Sequence, residues 1–488
     1  MATLHLKQDP GSDLALLNAM AHVIIAEGLC DRAFMAERVS EDEAFARFVE
    51  PWTPERAAGI CGVEASAICR AARLYATGRP AIAFHGLGLT EHVQGTEGVM
   101  TLVNLALLTG NLGKPGTGIN PLRGQNNVQG AAHMGCEPGH LTGFVPLDQG
   151  RAALAATWGA PVPARAGLNL MQMMDAALAE GDGSARLRAL WAIGYDVALT
   201  NPNTAMTRAA LGRLELVVVQ DLFLNELARE FGHVFLPACS SFEKDGTFMN
   251  SERRVQRVRQ VLPPAGGSKP DWEILCEVAR AMGAGEAFAF ASAEAVWEEV
   301  RSVWKAGAGI SYGRLERGGL QWPCPSMEHP GTPILHVSGF PHGPRAGLQR
   351  VEFVATAEAL TDEYPLLLTT GRTLYQFNAG TMTMRTPNAR LRGADTLDMN
   401  PADAARLGLR DGEAVRVRSR HDGLPRWLLR SHDQPLALRW LYHELRCRRS
   451  LRGQRMCLPE WHRDVHRWLF RHPGRPQSLR ELHDGVPR

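Results

Sequence analysis

The residues best suited to chemistry lie in one run rich in glycine and asparagine, LTGNLGKPGTGINPLRGQNNVQGA, residues 108–131. Glycines let a backbone approach a ligand closely, and the amides together with Arg123 supply donors for an anionic or multiply hydrogen-bonding group. Composition alone leaves a solvated loop as the alternative. Two further places, Tyr195–Asp196 and Gln220–Asp221, end apolar runs that read as strands. Parallel α/β sheets bind ligands beyond the carboxyl ends of their strands. His133, Cys136 and His140 have a metal-like spacing. Three ligands in a loop with no fourth nearby favour packing, or the lining of a substrate passage, over zinc. The GLG at 86–88 is an incomplete nicotinamide fingerprint and reads more simply as a strand-to-helix turn.

The elements that must position these residues alternate along the chain. Helical spacing is expected over 12–29, 31–48 and 54–77, and AIAFHGLG (81–88) reads as a buried strand entering a glycine turn, followed by a helix through 97–109. Residues 110–150 have no hydrophobic period, and their Gly-Asn-Gln density favours a ligand-lining loop. Strands are then expected at 187–194, 214–221 and 233–238, with a helix near 203–212, a pattern of parallel, doubly wound topology. Residues 285–350 read as an irregular connection. Beyond them, YPLLLTTG (364–371) and EAVRVRSR (413–420) are expected as strands flanking a short helix begun at Asn400–Pro401, the mark of a small β-barrel.

A chain of 488 residues is long enough for several cores. Its 53 Lys and Arg nearly balance 51 Asp and Glu, so no global field argues for nucleic acid or a membrane surface. No apolar run reaches about 18 residues, so no membrane span is expected and the default location is cytoplasmic. The nine cysteines are scattered without C-x-x-C spacing, which reads as reduced thiols and not as a disulfide scaffold or a cluster ligand set. Residues 421–488 change character: they are rich in Arg, His, Trp and Leu and contain no Lys, Asn or Ile. They are expected to be non-native or disordered, with a basic appendage for an acidic partner as the other reading.

The order of residues in 108–131 resembles the segment bordering the metal site of formate dehydrogenase alpha subunits, in the molybdopterin oxidoreductase family of the bis-molybdopterin-guanine-dinucleotide type. It resembles nitrate reductases more loosely. The resemblance implies that Arg123, the arginine of RGQNNVQG, contacts formate. A guanidinium suits a small carboxylate because its fixed fork donates two parallel hydrogen bonds and stays charged. HGLGLTEHVQGTEG (85–98) is similar to the family's glycine turn, and Leu87 and Glu91 match positions that touch the pterin nucleotide. Glu91 stands where glutamine is usual and puts an anion beside a phosphate-rich ligand.

The run at 217–256 resembles the family's downstream nucleotide signature. It implies contacts from Gln220, Asp221, Lys244 and, in KPDWEI, Asp271. A strand-end carboxylate can accept both N–H groups of a guanine edge. Asn225, Gly232–His233 and Tyr195 depart from the usual residues. TTGRTLYQFNAGTMTMRTP (369–387) matches the segment gripping one pterin nucleotide, which implies Thr370, Gly371, Arg372, Thr373, Leu374, Tyr375, Gln376, Phe377 and Asn378. Arg372 beside backbone amides suits pyrophosphate.

The resemblance covers nearly all of 5–420. It implies two doubly wound α/β domains plus an incomplete C-terminal β-barrel of the double-psi type. The expected divisions are 1–125, ending at the substrate loop, 126–345 for the second, nucleotide-binding α/β domain, 346–420 for the partial barrel, and 421–488 for the tail. The implied cofactor is bis-molybdopterin guanine dinucleotide with Mo or W. The family's [4Fe–4S] cluster and metal-ligand residues belong to an N-terminal region without counterpart here, so the chain is expected to be N-terminally truncated. The implied activity is oxidation of formate to carbon dioxide. Implied partners are iron–sulfur or flavin electron-transfer subunits, or a separately encoded N-terminal half. The alternatives are a non-catalytic remnant binding pterin nucleotide weakly and another molybdenum oxidoreductase such as nitrate reductase.

Overall fold

The computed structural model describes residues 2–180, 186–356, 360–371, 373–391 and 396–418. The expectations for the tail at 421–488 and for Arg372 therefore lie outside the described residues. The chain divides into two compact units, one built from 1–129, 249–255 and 319–370, the other from 130–248, 256–318 and 371 onward.

The first unit is organised around the helix Asp13–Ala26, whose residues are buried on almost every side. A helix that is apolar all round must be wrapped by others. The helices Pro54–Cys61, Ala65–Thr77 and Gly95–Thr109 wrap it, joining Ile24, Phe45, Ile68, Leu105 and Leu108 in one core. Periodicity alone joins 54–77 into one helix, but Gly62, at φ 67°, ends the first half. The expected helix at 31–48 is likewise divided. Val39–Ser40 leaves it to pair in parallel with Ala346–Gly347, and Glu41 sits in the left-handed region at φ 65°. Asn104 clamps the returning segment, donating to the Gln349 carbonyl at 2.8 Å and accepting from its N–H at 2.9 Å.

Beside this bundle lies a parallel pair of strands, Ile82–His85 and Gly118–Pro121, in register from Ile82 opposite Gly118 to His85 opposite Pro121. The helix Gly95–Thr109 connects them, a strand–helix–strand crossover. The second strand falls inside 110–150, which the sequence presents as loop. Of its residues, GINP, only isoleucine favours a strand, and pairing to the preceding strand imposes the conformation.

The second unit contains a three-stranded parallel sheet in the order Ala189–Ile193, Leu216–Asp221, Val234–Pro237. The helices Thr204–Leu211 and Leu170–Leu178 pack together, and Met174, Leu211, Val217, Val219 and Leu227 form the core. Within the expected irregular connection at 285–350 the structure forms the helix Ala293–Val303, anchored by buried Trp297 and Trp304. The α/β architecture of the sequence reading is therefore present.

The strands expected at 364–371 and 413–420 are not formed among the described residues. Leu366, Leu367 and Leu368 are exposed. An apolar run becomes a strand only when another strand satisfies its amides, and no ladder meets this one. The short helix Pro401–Arg406 does form, with Asn400 accepting from the Ala402 N–H at 2.9 Å.

Candidate functional site

Parallel strands bring their carboxyl ends to one edge, and that edge in the first unit holds the residues around Arg123. The strand Ile82–His85 ends in Gly86, then turns into Leu87–Thr90. The neighbouring strand ends at Pro121, and the Leu122 N–H donates to the His85 carbonyl at 2.8 Å. The two strand ends are thereby stitched together just before Arg123. Arg123 is exposed and, among the described residues, makes no hydrogen bond or ion pair, so its guanidinium is available to a ligand.

His85 beside it is a residue that the sequence reading missed. Its Nδ1 is buried without a hydrogen-bond partner, and burial, then the charge of Arg123, holds the imidazole below its ordinary pKa. The only available signal was its position at a strand end. Leu87 is 56% exposed, and Glu91, closing the short helix after it, is also exposed. The turn beyond is tight: a Cβ on Gly95 would lie 2.0 Å from the Thr90 carbonyl oxygen. Only glycine tolerates that approach.

In the second unit, Gln220 and Asp221 end the central strand. Gln220 is fully buried and donates from Nε2 to Asp271 Oδ1 at 2.9 Å. Lys244 pairs with the other carboxylate oxygen of Asp271, at the start of the helix Asp271–Ala281. Three residues far apart in sequence thus form one chain, Gln220–Asp271–Lys244. Gln220 Oε1 remains buried with no partner, an acceptor available for an N–H donor of a ligand.

Asp221 has a different setting. Its Oδ1 accepts from the Leu222 N–H at 2.6 Å and the Phe223 N–H at 3.4 Å, and its Oδ2 accepts from Asn225 at 2.9 Å. Burial raises its pKa against these hydrogen bonds, and the nearby Asp196 adds to the rise. Asn225, one of the departures from the usual family residue, also caps the helix Glu226–Glu230 through the Ala228 N–H at 2.9 Å. Asp196, 2% exposed, accepts from the Leu199, Glu226 and Leu227 N–H groups at 3.3, 3.1 and 3.2 Å. It fastens two strand-end loops and has a structural role.

Of the third group, Thr370, Gly371, Tyr375, Phe377 and Asn378 are exposed, Thr373 is half-buried, and Leu374 is 88% exposed. The Phe377 N–H donates to Thr383 Oγ1 at 3.1 Å, and that hydroxyl donates to Gln376 Oε1 at 2.7 Å. The same turn carries Arg385, whose guanidinium lies 5.3 Å from the Phe223 ring centroid. This contact sets the 376–385 turn beside the loop that begins at Asp221. Arg385 was not singled out from the sequence, because an arginine in a polar turn carries no distinguishing pattern.

His133, Cys136 and His140 are not arranged as metal ligands. His133 is buried, its ring 5.0 Å from Trp304 and 6.4 Å from Phe144. His140 stacks on Phe144 at 4.1 Å and pairs with Glu137. Burial pushes the His133 pKa down to about 4.

Residues 1–281 match the family model described as molybdopterin oxidoreductase, and 366–426 match that of the molydopterin dinucleotide binding domain. The chain is 40% identical to the F420-dependent formate dehydrogenase 2 subunit alpha of Methanococcus maripaludis, covering 86% of this chain and 62% of the relative. It is 38% identical to formate dehydrogenase H of Escherichia coli, over 86% of this chain and 59% of that protein. The assimilatory nitrate reductase catalytic subunit of Bacillus subtilis is 34% identical over 86% of this chain and 60% of the relative. This chain therefore spans about three fifths of the length of the curated relatives it matches. In fold it is similar to acetylene hydratase from Pelobacter acetylenicus, with a TM-score of 0.62 at 19% identity, over 85% of this chain and 60% of that one.

Proposed function

Because the chain belongs to the molybdopterin oxidoreductase family, we propose that it is part of a formate dehydrogenase that oxidises formate to carbon dioxide. The observation that carries this reading is Arg123, an exposed guanidinium without a partner among the described residues, at the carboxyl edge of a parallel strand pair. In this reading it holds formate through two parallel hydrogen bonds, and fixing the anion's orientation is its contribution to the rate.

The cofactor proposed is bis-molybdopterin guanine dinucleotide with Mo or W, which supplies two-electron redox chemistry when bound. The residues fit such a group: Gln220 Oε1 is a buried acceptor without a partner at a strand end, where a nucleobase N–H would satisfy it. Lys244 and Asp271 are joined to that same glutamine and Asp221 is the next residue of its strand, while in the first unit Leu87 and Glu91 belong to the turn beyond His85; Thr370, Gly371 and 373–378 are the further contacts proposed. Lys244 and the turn bearing Arg385 offer positive charge to pyrophosphate.

Partners proposed on the same basis are iron–sulfur or flavin electron-transfer subunits, or a separately encoded polypeptide supplying the cluster and metal ligand. The proposed location is the cytoplasm; no helix among the described residues is long and apolar enough to cross a membrane. The proposed division into domains is 1–125, 126–345 and 346–420.

The test is turnover of the assembled enzyme with formate and with nitrate, before and after Arg123→Ala. Loss of a bidentate charged contact is worth about 2–4 kcal/mol, or roughly 30- to 1000-fold in kcat/KM. Formate turnover unchanged by the substitution removes the assignment, and turnover of nitrate alone replaces it with the nitrate reductase reading.

A further inference from the structure

The strand end that presents Arg123 carries a second polar group. His85 closes the strand Ile82–His85, and its carbonyl is tied at 2.8 Å to the N–H of Leu122, the residue immediately before Arg123. Its Nδ1 is buried with no hydrogen-bond partner. An imidazole nitrogen stripped of water and left unpaired costs stability unless something else meets it. His85 is half-buried, followed in the chain by Gly86 and opposite Pro121 in the strand pair.

We infer that His85 is a second positioning residue of the Arg123 site, donating an imidazole hydrogen bond to the small carboxylate that Arg123 holds. The inference rests on the formate reading above and deepens it. With the site empty, burial and the Arg123 charge both favour neutral imidazole. Neutral imidazole still has one N–H to give, so it can meet a carboxylate oxygen without adding a buried charge. Once a carboxylate neutralises Arg123, the repulsion on the imidazole is removed, and the added negative charge favours its protonation.

Proton uptake by His85 and anion binding therefore reinforce each other, by the same factor in both directions. The other charged groups on the neighbouring elements are few. The strand Gly118–Pro121 and the short helix Leu87–Thr90 carry none; Glu91 follows that helix, and Glu97 lies in the first turn of Gly95–Thr109. Neither glutamate is among the groups whose charge perturbs His85, so the coupling runs through Arg123.

The experiment is a titration of the full chain followed by the imidazole NMR signal of His85, assigned by its loss in His85→Asn, with sodium formate as probe and sodium chloride at equal ionic strength as control. Formate is expected to raise the His85 pKa saturably by about half a unit or more, and Arg123→Gln to abolish the effect. In linked form, formate affinity of the wild-type chain rises as the pH falls from about 8 through the His85 pKa, approaching about threefold only below it, whereas His85→Asn binds formate with no such dependence. If formate saturably perturbs the Arg123 guanidinium signals while the His85 pKa stays where it was, the role of His85 is overturned and the formate reading stands. If neither residue responds, or chloride gives the same shift, both readings fall.

Discussion

His133 supplies the sharpest quantitative test of the second unit. Its ring is enclosed by Trp304 and Phe144, and burial holds its pKa at about 4, against an ordinary value of 6.5. A base with a lowered folded pKa binds its proton more readily in the unfolded chain. Its neutral form is therefore accommodated fully above about pH 6.5, and stability falls as pH drops toward about 4. Integrating proton uptake for these two values gives a loss of ~2 kcal/mol between about pH 7.5 and pH 5.

The perturbation is His133→Phe, which keeps an aromatic ring beside Trp304 and removes the titration. The His133 carbonyl accepts from the Gly143 and Phe144 N–H groups at 2.7 and 3.1 Å, and those backbone bonds do not depend on the side chain. Urea unfolding of wild-type and variant chains at the two pH values gives four midpoints. The carboxylates titrate alike in both proteins, so their contributions cancel in the difference. The wild type is expected to lose ~2 kcal/mol more than the variant on acidification. Parallel pH dependences in the two proteins refute the argument that burial keeps this imidazole neutral.

Asp196→Ala removes the acceptor of three backbone N–H groups and the cap of Val197–Thr200, so the second unit should lose about 2–4 kcal/mol in urea unfolding; a loss below 1 kcal/mol would show that water replaces the carboxylate. Glu91→Gln removes an exposed anion from the turn beside the proposed pterin nucleotide. Cofactor retention through dialysis should improve by a factor of roughly 2–5, with salt diminishing the gain, and an equal off-rate in both proteins would place Glu91 away from the phosphates. Gly113→Ala sets a Cβ 2.4 Å from the His336 carbonyl oxygen at a backbone φ of 71°, and the first unit should be destabilised by at least about 1–2 kcal/mol in thermal unfolding. An unchanged midpoint there would mean that the 336–337 segment moves aside freely.

The helical core was legible because its signal is local. The periodicity of 12–29 and the start at Asn400–Pro401 act within a few residues, and the structure places Asp13–Ala26 and Pro401–Arg406 accordingly. The strands of the second sheet were legible because runs such as LVVVQD are apolar enough to announce burial. Gly118–Pro121 was not, since its conformation comes from a neighbour more than thirty residues earlier, and 364–371 likewise depends on a strand partner that is not found among the described residues. At the candidate site, spacing alone could not join Gln220 to Asp271, which are 51 residues apart, or Asp271 to Lys244, which are 27 apart. Resemblance to relatives named those residues, whereas only geometry singled out His85.

The two strand-end clusters are wired differently, and the difference bears on what each asks of a ligand. Lys244 and Gln220 both spend hydrogen bonds on Asp271, so a nucleotide arriving there meets groups already fixed in place. It gains rigid partners at the cost of competing with the Lys244–Asp271 pair, and only Gln220 Oε1 is left buried and wanting. Among the described residues, Arg123 and His85 Nδ1 have no such partners, so an arriving anion meets groups not already satisfied. Preorganisation lowers the entropic cost of binding in the first cluster, whereas in the second the ligand itself must order the side chains. A tightly held cofactor suits the first arrangement, and a small anion that must arrive and leave at every turnover suits the second. The lowered pKa of His85 fits that demand, because a neutral imidazole releases a carboxylate, or its neutral oxidation product, without separating a second buried charge pair.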